Sequence, residues 1–228
     1  MLVTHGAMHG LAMGLATLLG PGDEVLVPDP EFPNWRMAAV GAGAVVGTYP
    51  TRASAGFVPT PADVAAAVTS RTRAIVVSSP NNPTGAVYPP EVLAGIMAIA
   101  RARDLWVLSD ECYEAFIFDG PHAGLAELDT DGRTLTFYSF SKAHAMTGWR
   151  VGYVVVPDPK VRELMEHLAE ATVACPSAVG QRAALAALGG GQDHVTAARE
   201  RYASDVMPPW SCSRRVACPA SVRRGRST

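Results

Sequence analysis

Lysine is almost missing from this chain: of its 19 basic residues only Lys142 and Lys160 are lysines, and the other 17 are arginines. A lysine placed at the end of a strand is therefore an event to explain. Charge of one sign is also missing, since 19 Lys and Arg face 21 Asp and Glu for a formal net charge of -2. That balance argues against nucleic acid as the main partner, because a protein held by phosphate backbones needs an excess basic field. No uninterrupted apolar run nears the roughly 18 to 20 residues of a spanning helix, so no membrane partner is expected. No Lys or Arg precedes Arg36, so the N-terminus lacks a basic signal-peptide front. Cys112, Cys175, Cys212 and Cys218 offer no C-x-x-C pair. Reduced thiols in a cytoplasmic setting are expected, rather than a disulfide frame or a metal site.

What the chain has is apolar material, at 48% against 18% charged, with 37 alanines and 21 glycines among its 228 residues. A substantial core is possible, and general disorder is excluded. Continuous apolar runs of strand length recur at Glu24–Pro28, Ala44–Tyr49, Ala74–Ser78, Leu105–Ser109, Thr134–Ser139 and Val151–Val156. Continuity, as opposed to alternation, predicts strands covered on both faces. Helical segments are expected at Ala7–Leu19, Asn34–Val40, Pro61–Val68, Pro89–Arg103, Lys160–Ala171, Ser177–Leu188 and Asp193–Ser204. Strands alternating with helices predict an α/β fold, a mainly parallel sheet in a three-layer αβα arrangement. Ligands then gather beyond the carboxyl ends of the strands.

Four segments stand at such ends. Val3-Thr4-His5-Gly6-Ala7-Met8 passes from a shortened strand into a helix, and its small residues would let backbone N–H groups approach a phosphate, though a tight turn explains them as well. Ser78-Ser79-Pro80-Asn81-Asn82-Pro83-Thr84-Gly85 carries two X-Pro bonds in four residues, which fix an unusual loop and admit a cis peptide. Ser109-Asp110-Glu111-Cys112-Tyr113 puts carboxylates among apolar neighbours, where a carboxylate needs a cationic or hydrogen-bonding partner unless it only caps a helix. In the fourth, Ser139-Phe140-Ser141-Lys142, one of the two lysines follows a strand and is suited to act as a Schiff-base amine. Lys160, in Pro157-Asp158-Pro159-Lys160, reads as an ordinary solvated lysine.

In order and separation, SSPNNPTG, SDECYE and SFSKAHAMTGWRVGY resemble the signature segments of class I/II pyridoxal-phosphate aminotransferases of fold type I, nearest the aspartate-aminotransferase-like branch. The resemblance implies that residues 1–206 are the cofactor-binding large domain of an enzyme moving an amino group between an amino acid and a 2-oxo acid. It implies pyridoxal 5'-phosphate as cofactor and a homodimer as the intact assembly. Lys142 then forms the Schiff base and shuttles the substrate's proton, and Asp110 pairs with the pyridine nitrogen. Asn82 and Tyr113 donate to the ring's phenolic oxygen, and Phe32 stacks on the ring. For the phosphate, the resemblance assigns the backbone of Ala7 and Met8 and the side chains of Ser139 and Arg150. His144 and Trp149 are expected only to pack.

Against the family's pattern, the family's N-terminal segment has no counterpart, the match fails after Ser204, and no residue corresponds to the arginine that binds the substrate's α-carboxylate. Weak cofactor binding and little turnover are the expectation for a chain of this extent. Two other readings stand beside transamination: a non-catalytic remnant that keeps the fold, and a lyase on the same scaffold. Residues 207–228 hold five Arg, three Pro and two Cys with no acid. They read as a disordered basic tail or, the favoured account, as the product of a shifted frame in GC-rich DNA.

Overall fold

The computed structural model describes residues 1–205; the expectation for residues 207–228 falls outside them. Seven strands form one sheet: β1 (Leu2–Thr4), β2 (Glu24–Asp29), β3 (Val45–Pro50), β4 (Thr72–Ser78), β5 (Trp106–Asp110), β6 (Thr134–Ser139) and β7 (Gly152–Val155), in the order β1-β7-β6-β5-β4-β2-β3. Strands β2 to β6 run parallel, and β7 runs antiparallel to both its neighbours, β6 and β1. The helices are α1 (Gly6–Leu18), α2 (Pro33–Gly41), α3 (Pro61–Ala67), α4 (Pro90–Arg103), α5 (Phe140–Ala143), α6 (Pro159–Val173), α7 (Ala178–Gly189) and α8 (Asp193–Asp205).

Both faces of the sheet are covered, which explains the continuous runs. In β4, Ala74 and Val76 enter a core shared with Leu11 and Leu15 of α1, Trp35 of α2 and Met165 of α6. The alternate residues Ile75 and Val77 enter a second core with Val64 of α3 and Ile96 and Met97 of α4. Successive side chains leave a strand on opposite faces, so the middle of a strand buried on both faces, Ala74–Val77 in β4, is apolar throughout.

Local signals set the helix boundaries. Pro61 and Pro159 stand in first turns whose caps are Thr60, which accepts from Asp63 N–H, and Asp158, which accepts from the N–H groups of Lys160 and Val161. Asp104 ends α4 in the left-handed region at φ 52°. In α1, a Cβ on Gly14 would lie 3.2 Å from the Phe137 ring and 3.3 Å from Leu135, so glycine is what lets this helix settle close on β6. Among the described residues no helix is long and apolar enough to cross a membrane.

Candidate active site

The carboxyl ends of five strands converge on one cavity of about 190 Å³. All nine sequence-predicted site residues line it: Ala7 and Met8 after β1, Phe32 after β2, Asn82 after β4, Asp110 and Tyr113 at and after β5, and Ser139, Lys142 and Arg150 from β6 to the turn before β7. Lys160 is exposed on α6, as expected of a solvated lysine. Leu11, Cys112, Phe137, Ser141 and Thr147 also line the cavity and had been given no role. For Ser141 the signal was a second hydroxyl two residues after Ser139; the apolar lining carried none.

Three features define the chemistry of this cavity. Its floor holds Asp110, whose carboxylate accepts from Cys112 N–H at 3.2 Å. Burial pushes the Asp110 carboxyl above the ordinary carboxylate range, against the lowering effect of the hydrogen bond from Cys112. A cationic N–H donor entering the cavity would stabilise this carboxylate.

The second feature is an anion cradle. Helix α1 begins at Gly6, with φ +72°, and no side chain caps its first turn, so the N–H groups at its start have no side-chain acceptor. Beside it the Arg150 guanidinium donates to Thr147 O at 2.9 Å and to His5 O at 3.4 Å, and comes within 3.5 Å of Ser141 Oγ. These partners are neutral oxygens, and no carboxylate pairs with Arg150 among the described residues. The Ser139 hydroxyl accepts from Ser141 N–H at 3.2 Å, which leaves its own proton free to donate.

The third feature is the lysine, carried on the four-residue helix α5 that Ser139 caps. Lys142 Nζ stands 5.1 Å from the centre of the Tyr113 ring. The Asn82 loop is held from within, because Asn81 Oδ1 accepts from Thr84 N–H at 3.2 Å and from Thr84 Oγ1 at 2.9 Å. Ser79-Pro80 and Asn82-Pro83 are both cis, as is Asp29-Pro30 ahead of Phe32. Two residues of the lysine motif depart from simple packing. His144 lies against the Phe140 ring but also meets His194 of α8 at 3.2 Å, and Trp149 is 50% exposed on a short 3-10 turn.

Fold and cavity define an α/β protein with a lysine-bearing, anion-accepting site at the carboxyl ends of its strands. Comparison with known families and proteins then gives the lineage. The family model "Aminotransferase class I and II" matches residues 1–207, and the chain belongs to that family. It is 39% identical over 204 residues to an aspartate/prephenate aminotransferase of Thermus thermophilus, covering 88% of this chain and 52% of that protein. It is 40% identical over 202 residues to the arginine–pyruvate transaminase AruH of Pseudomonas aeruginosa, covering 88% and 51%. A solved structure of Thermus thermophilus aspartate aminotransferase, a double mutant, superposes with a TM-score of 0.84 at 39% identity, over 88% of this chain and 53% of that one. The chain thus spans about half the length of the curated relatives it matches.

Proposed function

We propose that this chain is the cofactor-binding large domain of an aminotransferase that uses pyridoxal 5'-phosphate to move an amino group between an amino acid and a 2-oxo acid. The observation that carries the proposal is one cavity joining a lysine, a buried carboxylate and an anion cradle. The donor set fits the cofactor at both ends: an uncapped helix start with a guanidinium free of any carboxylate suits a phosphate dianion, and the buried Asp110, which has no cationic partner among the described residues, suits a protonated ring nitrogen that would offset its burial. When bound, pyridoxal phosphate supplies an aldehyde that condenses with amines and a ring that accepts the electron pair released at the substrate's α-carbon.

The remaining work falls to the chain's own groups. The α1 N–H groups of Ala7 and Met8, the Ser139 hydroxyl and Arg150 bind the phosphate and fix the register of the cofactor in the cavity. The Asp110 carboxylate would accept the N–H of the ring nitrogen and keep its proton in place. Asn82 and Tyr113 orient the ring through its phenolic oxygen, and Phe32 covers one face and excludes water. Lys142 Nζ would be the amine that holds the cofactor and, once free, the base that takes the α-proton and returns it. A cytoplasmic setting and a homodimer belong to the same proposal. Among the described residues Cys112 and Cys175 form no disulfide, and Met1, Val179, Leu185 and Leu188 leave more than half of their surface exposed, as an unshared interface would.

Borohydride reduction of the chain with pyridoxal phosphate, followed by peptide mapping, tests the lysine assignment; a covalent adduct on Lys142 is expected. An adduct on Lys160 alone, or on neither lysine, would refute it. Transfer of label from a 15N-amino acid to a 2-oxo acid distinguishes transamination from elimination or decarboxylation.

A further inference from the structure

Glu111 stands between Asp110 and Tyr113, is 3% exposed, and has no role in the chemistry above. Its carboxylate is the most heavily engaged polar group near the cavity. One oxygen accepts from Ser109 Oγ at 2.9 Å and from Leu125 N–H at 3.3 Å. The other accepts from the Tyr138 hydroxyl at 3.0 Å and lies 2.9 Å from His122 Nε2. The donors come from the end of β5, from two points on the segment that follows it, and from β6 one residue before Ser139. Main-chain pairing adds to this, since Glu111 N–H donates to Phe137 O at 3.1 Å.

The consequence is a closed loop. Residues 111–125 leave the sheet and return to one carboxylate, and Tyr113 rides on this loop while Ser139 and Lys142 follow the strand to which it is tied. With Glu114, Glu111 and His122 bring metal-ligand atoms within 4.8 Å of one another, but both Glu111 oxygens already accept two hydrogen bonds each, which describes a satisfied internal anion.

We propose that Glu111, with His122 as its counter-group, is a positioning residue that clamps the Tyr113 loop to β6 and so sets where the Tyr113 hydroxyl stands in the cavity. The clamp rests on the cofactor reading above only for its effect on binding. Its electrostatics fit. Burial raises the Glu111 carboxyl, but the hydrogen bonds of His122, Ser109 and Tyr138 and the charge of His122 outweigh that and hold it below its ordinary value. The Glu111 hydrogen bond in turn raises His122, against the lowering effect of burial.

The test uses His122, which is partly exposed and replaceable without opening the core. In the full chain, His122→Ala removes the donor and His122→Gln supplies another. Amide exchange across residues 113–124 is expected to quicken about tenfold in His122→Ala and to return toward the parent rate in His122→Gln, with β5 and β6 unchanged. Titration with pyridoxal phosphate is expected to show binding weakened about tenfold by His122→Ala. That effect should vanish in a Tyr113→Phe background, since a clamp acting through Tyr113 cannot act twice. Unchanged exchange in His122→Ala, or effects of the two substitutions that simply multiply, would overturn the clamp. A parent chain that fails to bind pyridoxal phosphate would overturn the cofactor reading, while the exchange measurement still decides the clamp.

Discussion

Gly6→Ala puts the anion cradle to its sharpest test, because one methyl group strikes both the backbone and the guanidinium. Gly6 has φ +72°, and a Cβ there would stand 2.5 Å from Arg150 Nη2 and 3.1 Å from its Cζ. The left-handed backbone alone costs an L-residue roughly 1 to 2 kcal/mol. For a chain of this size that corresponds to a fall in Tm of roughly 2 to 8 °C. The guanidinium is the far end of a flexible side chain, so it will yield, receding until Nη2 stands at an ordinary contact of 3.4 Å or more. Its bonds to Thr147 O at 2.9 Å and His5 O at 3.4 Å then loosen. A charged hydrogen bond contributes about 1.5 to 3 kcal/mol, so affinity for pyridoxal phosphate should fall about 10- to 100-fold. Thermal melts of the cofactor-free chain and an absorbance titration read the two effects separately. Gly41→Ala is the control, since nothing lies within 4 Å of a Cβ there and no left-handed φ is required. In an Arg150→Ala background, Gly6→Ala should cost only the backbone strain. The reasoning fails if Gly6→Ala melts within about 1 °C of the parent and binds the cofactor within about twofold of it.

Asp110→Asn should separate stability from binding. Burial raises the folded-state Asp110 carboxyl, so its contribution is complete below the unfolded-state value and is lost as pH rises through the folded one. The cofactor-free Asn variant should therefore melt above the parent at pH 7 while binding pyridoxal phosphate more weakly; a lower melting point at pH 7 would contradict this. At the surface, the hydrogen bonds of Arg52 and Thr60 hold the Asp63 carboxyl down to about 2. NMR titration should find its midpoint moving up in Arg52→Ala, and no movement would remove Arg52 as the cause. The stability this depressed group adds is present above its unfolded-state value and declines as pH falls toward 2. Phe137, 1% exposed and edge-on to Trp35 at 5.7 Å, should cost about 3 to 5 kcal/mol when cut to Ala, measured by urea unfolding. A loss below about 1 kcal/mol would mean that the α1–β6 core can collapse around the gap.

Much of the proposed site was legible because most of its residues stand at or shortly after the carboxyl end of a strand, with Arg150, in the turn before β7, the exception. Asn82 comes four residues after Ser78, Asp110 ends β5, and Lys142 comes three residues after Ser139. In a parallel sheet those ends share an edge, so residues distant in sequence are gathered without any detail of packing. The Glu111 clamp was not legible. SDECYE shows two adjacent carboxylates, but nothing local says that one faces the cavity and the other turns inward to His122, Leu125 and Tyr138. Strand alternation separates them, and only the distant donors make the inward one tolerable.

The sequence by itself determined the layers, since runs apolar on both faces require helices above and below the sheet. It also marked the candidate for the proposed chemistry, since one of only two lysines stands just past a strand, where it lines the cavity. Strand order was decided only in three dimensions. The run Val151–Val156 looks like its parallel neighbours, yet β7 runs the other way between β1 and β6, and Gly152 pairs at once with Thr4 and Ser139. A Cβ at Gly152 would lie 2.7 Å from Ala7 N, Gly6 C and Tyr138 O, so the missing side chain is what lets the start of α1 approach Ser139 and Arg150. Strand direction is set by which edges pair and how the chain returns to them, and those are properties of the assembled sheet that no single segment encodes.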